Sequence, residues 1–195
     1  IDLETRKPKK NLTSLNIVRI GTSGSLQADI PVDSFVVSSH GLDLNGMLHS
    51  YQIDEISNTD IENAFVAHTN WSSKKAYPII ISNSKVLEDK LASEKTFTGI
   101  TATAGGFYGP QGRILRLAIQ DENLNHKIDS FSFENHRITN LEMETSAIYG
   151  LSKLLGHHSC SINAIIANRA NGTFSENPGK VVSDLIEYAL EKLVS

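Results

Sequence analysis

Two glutamates, Glu142 and Glu144, flank Met143 just before a stretch with helical spacing. Glu142 lies three residues after Thr139, which is the spacing of a capping box, where each side chain satisfies a free backbone N–H at a helix start. If Glu142 caps the helix, Glu144 points elsewhere, because residues two apart do not share a helix face. A carboxylate at a helix start can accept two hydroxyl hydrogen bonds at once, which suits a vicinal diol such as a ribose.

A second polar cluster follows the short β-branched stretch Ile17–Ile20 and covers Gly21–Ser25. A buried strand that ends in a loop of glycine, serine and threonine presents backbone N–H groups and hydroxyls to an anion. Arg19 is unusual in an otherwise apolar strand, so it either pairs with a core carboxylate or acts as a charged clamp for phosphate. There is no P-loop lysine motif and no GxGxxG, which disfavours nucleoside triphosphate binding.

The third cluster is the loop Phe107–Arg113, which follows a predicted strand. Gln111 offers a donor and an acceptor side by side, which matches the edge of a pyrimidine or purine ring. Arg113 can donate to a ring carbonyl, and Phe107 can pack against the face of a base. The alternative is a turn whose polar residues face water. The position of the loop after a strand is also typical of ligand sites in α/β proteins.

Strands and helices alternate along the chain, which predicts an α/β domain with a substantially parallel sheet. The predicted strands are Ile17–Ile20, Ser34–Ser39, Ile79–Ile81, Phe97–Ala104 and Ser161–Arg169. Helices are predicted over Lys85–Ala92, from Pro178 onward, and over a stretch that ends at Gly156 with the apolar face Ala147, Ile148, Leu151, Leu154 and Leu155. Ligands of such sheets collect beyond the carboxyl ends of the strands, so the polar clusters are expected there.

Composition narrows the class of protein. A chain of 195 residues suits one domain over 1–195, and 39% hydrophobic with 21% charged residues excludes a disordered chain. The net charge of −4 argues against nucleic-acid binding, and no apolar run approaches the ~20 residues of a membrane helix. Cys160 is the single cysteine, which fits a reducing compartment, and no Cys/His cluster has zinc spacing. Since the first residue is Ile1, we expect the chain to begin inside a longer one.

Four segments, in order, resemble motifs of the nucleoside phosphorylase family that includes uridine phosphorylase, within the PNP/UDP phosphorylase superfamily. These segments are Arg19–Gly24, Phe107–Arg113, Glu142–Glu144 and Asn168-Arg169. The resemblance runs from about Leu15 to the C-terminus. It implies a three-layer α/β/α sandwich with a central twisted mixed, mostly parallel sheet.

The resemblance also implies roles for individual residues. The implied phosphate-binding residues are Arg19, Thr22, Ser23 and Gly24. The residues implied in base binding and catalysis are Phe107, Gln111, Arg113 and Arg169. The implied ribose-binding residues are Glu142, Met143 and Glu144. The implied activity is phosphorolysis of uridine to uracil and ribose 1-phosphate in pyrimidine salvage. Inorganic phosphate is then a cosubstrate, no metal or organic cofactor is needed, and the protein is a cytoplasmic homo-oligomer, either a dimer or a hexamer.

The chain departs from the family in two places, and a third feature argues against the purine-cleaving relatives. Purine-cleaving relatives carry an aspartate just after the strand that corresponds to Asn163–Arg169, whereas this chain has Ala170-Asn171-Gly172-Thr173. The order Gly109-Pro110 differs from the Pro-Gly of some members, which leaves the path of that loop open. The family's N-terminal phosphate-binding residues would precede Ile1. A purine nucleoside phosphorylase or nucleosidase, and a nucleoside-binding module without turnover, are therefore the alternatives.

Overall fold

The computed structural model describes residues 1–194, which form eight strands and five α-helices. The strands are β1 (Asn16–Ser25), β2 (Phe35–Asp43), β3 (Ile79–Ser82), β4 (Thr96–Thr103), β5 (Ser132–Phe133), β6 (His136–Glu142), β7 (His158–Asn168) and β8 (Thr173–Phe174). The helices are α1 (Thr59–Thr69), α2 (Lys85–Leu91), α3 (Leu124–Asp129), α4 (Thr145–Leu154) and α5 (Pro178–Val194). Two short 3₁₀ turns cover Met47–Ser50 and Gly109–Gln111.

The strands form one mixed sheet in the order β3-β2-β4-β6-β1-β7-β8, with β5 beside β6. The ladders β1–β7, β2–β4 and β4–β6 are parallel. One edge of β2 is shared, because residues 40–43 pair with β3 while residues 35–38 pair with β7. Since β7 also pairs with β1, this second pairing closes β1, β7, β2, β4 and β6 into a ring of five strands.

Apolar and polar residues alternate along much of each strand in this ring, so the strands have one largely apolar and one largely polar face. Apolar residues such as Ile162 and Val37 pack against α2 and α5, whereas Leu42 and Ile100 pack in the cluster that includes α1 and α3. The helices thus pack around the ring in two separate groups, which confirms the predicted α/β fold with a central mixed sheet. None of the helices within residues 1–194 is long and apolar enough to cross a membrane.

Gly21–Ser25 is part of a strand, so the prediction that these residues form a loop is wrong, while their role in anion binding stays a prediction. These residues continue β1 and pair with β7 in parallel as far as Ser25, and Gly24 and Ser25 also pair with β6. Glycine and serine are poor strand formers, but pairing partners on both sides override that weak local preference. A register shift after Ser23 leaves Ile166 as an extra residue on β7, which is a bulge beside Gly24.

The start of α4 also differs from the prediction. Thr139 and Glu142 both lie in β6 and the helix begins at Thr145, so no capping box forms between them. Glu142 nevertheless serves the helix start, because its carboxylate accepts hydrogen bonds from the backbone N–H groups of Glu144 and Thr145. The capping function was therefore correct for Glu142, while the partner and the geometry were wrong.

The buried face of α4 consists of Tyr149 and small, mostly polar residues rather than aliphatic ones. It consists of Thr145, Ser146, Tyr149, Gly150 and Ser152, whereas the predicted face residues Leu154 and Leu155 are exposed. The helix approaches β2 closely at Gly41, where an added Cβ would lie 2.8 Å from the Cα of Ser146. Close backbone approach needs small residues on the facing side, and the aliphatic residues consequently turn outward.

Candidate active site

One cavity of about 870 Å³ collects side chains from β1, β6, β7 and the loop after β4. All eleven residues that the resemblance assigns to a ligand site line this cavity: Arg19, Thr22, Ser23, Gly24, Phe107, Gln111, Arg113, Glu142, Met143, Glu144 and Arg169. The topology explains how residues so distant in sequence meet. Parallel pairing of β1 with β7 brings the end of β7 beside Gly24, and antiparallel pairing brings the end of β6 to the same place.

Gln111 is held between two arginines at one end of the cavity. Its Oε1 accepts hydrogen bonds from Nη2 of Arg169 at 2.7 Å and from Nη1 of Arg113 at 2.5 Å. Because guanidinium groups only donate, these contacts fix the carboxamide with its oxygen toward the arginines. Within residues 1–194, no protein acceptor contacts Nε2 of Gln111, so this donor is available to a bound molecule.

The loop that carries Gln111 is shaped by its glycines and proline. Gly109-Pro110-Gln111 forms a 3₁₀ turn, and Gly112 follows with a φ of 69°, a left-handed conformation that favours glycine. Gln111 is only 3% exposed, so the Gly109-Pro110 order does not turn it toward solvent. The path that the sequence left open thus leads into the cavity.

Arg113 and Arg169 give this end of the cavity positive charge. The guanidinium of Arg113 stacks on Phe107, with Cζ 3.9 Å from the ring centre. Burial lowers the pKa of Arg113. Burial, with a smaller effect of the charge on Arg113, lowers the pKa of Arg169 to about 10. Arg169 is still a cation at neutral pH, and two partly desolvated cations stabilise a negative charge that develops nearby.

The two glutamates have different surroundings. Glu142 is 4% exposed, and each of its oxygens already has two protein donors, from the hydroxyl of Thr103 and the backbone of Glu144 and Thr145. Glu144 is half exposed in the cavity, and its Oε2 accepts from Arg19 at 2.5 Å. Its Oε1 has no donor within residues 1–194, so Glu144 has the free acceptor. Met143, between them, lines the wall. Direct ribose contact by Glu142 stays a prediction.

Arg19 forms ion pairs with two carboxylates. Its Nη2 lies 2.5 Å from Glu144 and 3.2 Å from Glu142, so the first of the two alternatives for Arg19 is present in the structure. Its guanidinium also donates from Nη1 to Asn163 at 2.7 Å. The role of Arg19 as a phosphate clamp stays a prediction.

The remaining predicted anion-binding residues lie next to Arg19 along β1. Thr22 is exposed, and its hydroxyl has no hydrogen-bond partner within the described residues. Ser23 is buried, and its hydroxyl accepts from Nδ2 of Asn140 at 2.8 Å. Gly24 leaves room for Arg169, since an added Cβ would lie 3.4 Å from its Nε. Thr22 is therefore the most accessible donor in this segment.

Asn125, Ile166 and Phe174 also line the cavity and were not predicted. Phe174 is exposed in the hairpin after β7, and an aromatic residue in a turn-rich loop is a signal that could have identified it. Asn125 donates to the carbonyl of Gly112 at 3.2 Å and supports the loop that carries Gln111. No pattern in the sequence distinguishes Asn125 or Ile166. No three His, Cys, Asp or Glu side chains within residues 1–194 are grouped to hold a metal.

Comparison with known proteins gives one family. The chain matches the Phosphorylase superfamily over residues 10–193. The uridine phosphorylase of Thermococcus kodakarensis (strain ATCC BAA-918 / JCM 12380 / KOD1) is 24% identical over 169 residues, which cover 82% of this chain and 50% of that protein. The chain thus spans about half the length of this curated relative.

Two solved structures have a similar fold. A nucleoside phosphorylase of Trypanosoma brucei, described as showing uridine phosphorylase activity, matches with a TM-score of 0.79 at 22% identity over 92% of this chain and 63% of that chain. A structure from a study of two diverse uridine phosphorylases in the oomycete Phytophthora capsici matches with a TM-score of 0.60 at 21% identity, over 93% of this chain and 66% of that chain.

Proposed function

Because the chain belongs to the phosphorylase superfamily, we propose that this protein is a nucleoside phosphorylase that cleaves uridine into uracil and ribose 1-phosphate. The observation that carries the choice of base is the orientation of Gln111, whose oxygen is held by two arginines while its amide nitrogen is free. A free amide donor beside two guanidinium groups suits a ring with carbonyl acceptors, such as uracil. The relatives named above support the same substrate class.

The reaction follows from the charges in the cavity. An oxygen of hydrogen phosphate attacks the anomeric carbon as the C–N glycosidic bond breaks, the bonding electron pair leaves with the uracil ring, and the proton of the hydrogen phosphate passes to that ring. The sugar passes through an oxocarbenium-like state. Gln111, Arg113 and Arg169 stabilise the negative charge that grows on the base, which is an electrostatic contribution of the oxyanion-hole kind.

The other half of the cavity holds the sugar and the phosphate. Glu144 accepts hydrogen bonds from the ribose hydroxyls through its free Oε1, with Met143 against the ring. Thr22 donates to the phosphate, and Arg19 supplies positive charge to the same cavity. Holding both reactants in place supplies much of the rate by proximity. Phosphate is a cosubstrate in this scheme, and the steps need no metal or organic cofactor.

A nucleoside-binding module without turnover is the second candidate, and one observation favours it. Three cations line the cavity: Arg113 and Arg169 hold the oxygen of Gln111, and Arg19 is already shared between two carboxylates. This arrangement weakens its attraction for phosphate, since a neutralised cation has less field to offer an anion. The purine alternative is disfavoured because Ala170–Thr173 contains no aspartate.

Uridine incubated with and without inorganic phosphate separates these functions. We expect uracil and ribose 1-phosphate in equal amounts, and only when phosphate is present. Uridine binding without uracil release would establish the binding module, and phosphate-independent release of uracil and free ribose would establish a nucleosidase. Faster cleavage of inosine than of uridine would establish the purine enzyme.

We also propose that the protein is a cytoplasmic homo-oligomer. The single cysteine, Cys160, is buried, and burial raises the pKa of its thiol to about 12, so it is an inert core residue compatible with a reducing compartment. Sedimentation of the purified protein checks the oligomer, for which a dimer or a hexamer is expected.

A further inference from the structure

A belt of hydrogen bonds runs around the polar face of the five-stranded ring. It joins six side chains, of which β1 supplies the two ends and each other strand of the ring supplies one: Arg19 (β1), Asn163 (β7), Ser38 (β2), Thr101 (β4), Asn140 (β6) and Ser23 (β1). The successive donor–acceptor distances are 2.7, 3.3, 2.5, 2.8 and 2.8 Å. Both ends of the belt line the cavity, and its middle members are fully buried.

Asn163 is the member that anchors Arg19. Its Oδ1 accepts from Nη1 of Arg19, and its Nδ2 donates to the hydroxyls of Ser38 and Ser161, each at 3.3 Å. The guanidinium can only donate, so the amide of Asn163 has one satisfied orientation. A buried amide with partners on both sides is rigid, and it therefore defines the place of Nη1.

The other nitrogen of Arg19 holds Glu144. Nη2 donates to Glu144 at 2.5 Å, and within residues 1–194 no other donor contacts that carboxylate. Gly21 makes this path possible, because an added Cβ there would lie 2.4 Å from Nη1 of Arg19. The position of Glu144 in the cavity thus depends on Arg19. Arg19 in turn has its shortest contact outside Glu144 with Asn163 at 2.7 Å, and longer contacts with the hydroxyl of Ser161 at 3.4 Å and with Glu142 at 3.2 Å.

We propose that Asn163 is a positioning residue of the nucleoside site, which anchors Arg19 so that Arg19 presents the carboxylate of Glu144 to the ribose hydroxyls. The inference rests on the proposed function for its ligand, a nucleoside. A purely structural role is the competing explanation, since Asn163 is fully buried and its hydrogen bonds contribute to folding in either case.

Asn163→Ala and Asn163→Asp separate the two roles, with uridine affinity measured by calorimetry in the absence of phosphate and Tm measured in parallel. Asn163→Ala is expected to weaken uridine binding at least tenfold, because Nη1 of Arg19 loses its acceptor at 2.7 Å and keeps only the long contact with the hydroxyl of Ser161 at 3.4 Å. Asn163→Asp keeps an acceptor for Arg19, so it is expected to bind uridine within threefold of wild type. Its Tm is expected to fall at least as far as that of Asn163→Ala, because the new carboxylate is buried. A structural role predicts instead that affinity follows Tm.

Tyr149→Phe is the matched control. The hydroxyl of Tyr149 is buried, donates to the carbonyl of Ser38 and accepts from the N–H of Ser161, but contacts neither Arg19 nor Glu144. It is expected to lower Tm and to leave uridine affinity unchanged. Should Asn163→Ala fail to fold, Asn163→Val, which fills the space without an acceptor, is measured in its place with the same expectation.

A crystal structure of Asn163→Ala or Asn163→Val keeps this test separate from the test of phosphorolysis. We expect the guanidinium of Arg19 to move away from Glu144 by more than about 0.5 Å, which is the range over which hydrogen-bond lengths vary. An unmoved Arg19, or a loss of affinity in Asn163→Asp equal to that in Asn163→Ala, overturns the inference. Wild-type protein that binds uridine but does not consume phosphate refutes the proposed reaction and leaves the measurements on Asn163 valid.

Discussion

Arg169 and Gln111 are 58 residues apart in sequence, yet Nη2 of Arg169 donates to Oε1 of Gln111 at 2.7 Å. A second hydrogen bond, from Nη1 of Arg169 to the backbone carbonyl of Gln111, has a length of 3.1 Å. The end of β7 thus holds both the side chain and the main chain of the loop after β4. The orientation of the Gln111 side chain depends on this pair of contacts.

Arg169→Ala is expected to raise KM for uridine by roughly 10- to 100-fold, since charged hydrogen bonds of about 1.5–3 kcal/mol orient Gln111. Arg169→Lys should recover only part of the loss, because a single ammonium cannot reproduce the two-pronged contact. Steady-state kinetics check this, with Arg137→Ala as the control, since Arg137 pairs with Asp29 away from the cavity. A normal KM in Arg169→Ala would show that the loop holds Gln111 unaided.

Glu142 and Glu144 should respond differently to the same substitution. Glu142→Gln replaces a buried carboxylate that has backbone donors on both oxygens, so we expect the free energy of unfolding to fall by about 1–3 kcal/mol. Glu144→Gln, at an exposed site, should change it by less than about 1 kcal/mol. In kinetics, Glu144→Gln should impair uridine more than 2′-deoxyuridine, which has one hydroxyl fewer. The reverse pattern would mean that Glu142 is the ribose ligand.

Stability is expected to depend on pH through His40. The rings of His40 and His136 lie 4.9 Å apart, and burial, followed by the charge of His136, lowers the pKa of His40 from 6.5 to about 4. Below pH 6.5 His40 is protonated in the unfolded chain but stays neutral in the folded chain. The folded state therefore loses stability as the pH falls toward 4. Linkage gives a loss of about 2 kcal/mol between pH 7 and pH 5.

Urea unfolding at these two pH values measures the effect of His40. In His40→Gln the loss should shrink, whereas in His68→Gln, at an exposed position, it should persist. An equal loss in wild type and His40→Gln would assign the pH dependence to other groups.

The elements with a strong local pattern were predictable from the sequence. The apolar run at Ile79–Ile81, the strand before Arg169 and the helix that begins at Pro178 are confirmed within a few residues. The grouping of the polar clusters in one cavity also followed from the rule that ligands collect at the carboxyl ends of strands.

The rest depends on tertiary pairing that no local pattern shows. Closure of the ring needs one edge of β2 to pair with both β3 and β7, and that choice is made by packing. Gly21–Ser25 becomes a strand only because β6 and β7 supply partners. The role of Asn163 was missed for the same reason, since it is 144 residues from the arginine that it contacts.

Arg113 and Gln111 should stabilise the leaving base more strongly as negative charge moves onto it. Truncation of either to alanine should lower the rate of bond cleavage more than it weakens uridine binding, by roughly 10²–10³-fold in kcat. Arg113→Ala should be the more damaging, because a full charge in a partly desolvated site stabilises an anion more than an amide dipole does. Single-turnover kinetics with uridine, together with binding measurements, separate the two effects.

A uridine analogue with a better leaving group supplies the decisive comparison. With 5-fluorouridine less stabilisation of the base is needed, so both alanine variants should be closer to wild type than with uridine. Arg116→Ala is the matched control, since Arg116 is exposed three residues further along the same loop and does not line this cavity. If both substrates lose the same factor, these side chains act in binding alone, and the stabilisation of the leaving group must come from Arg169.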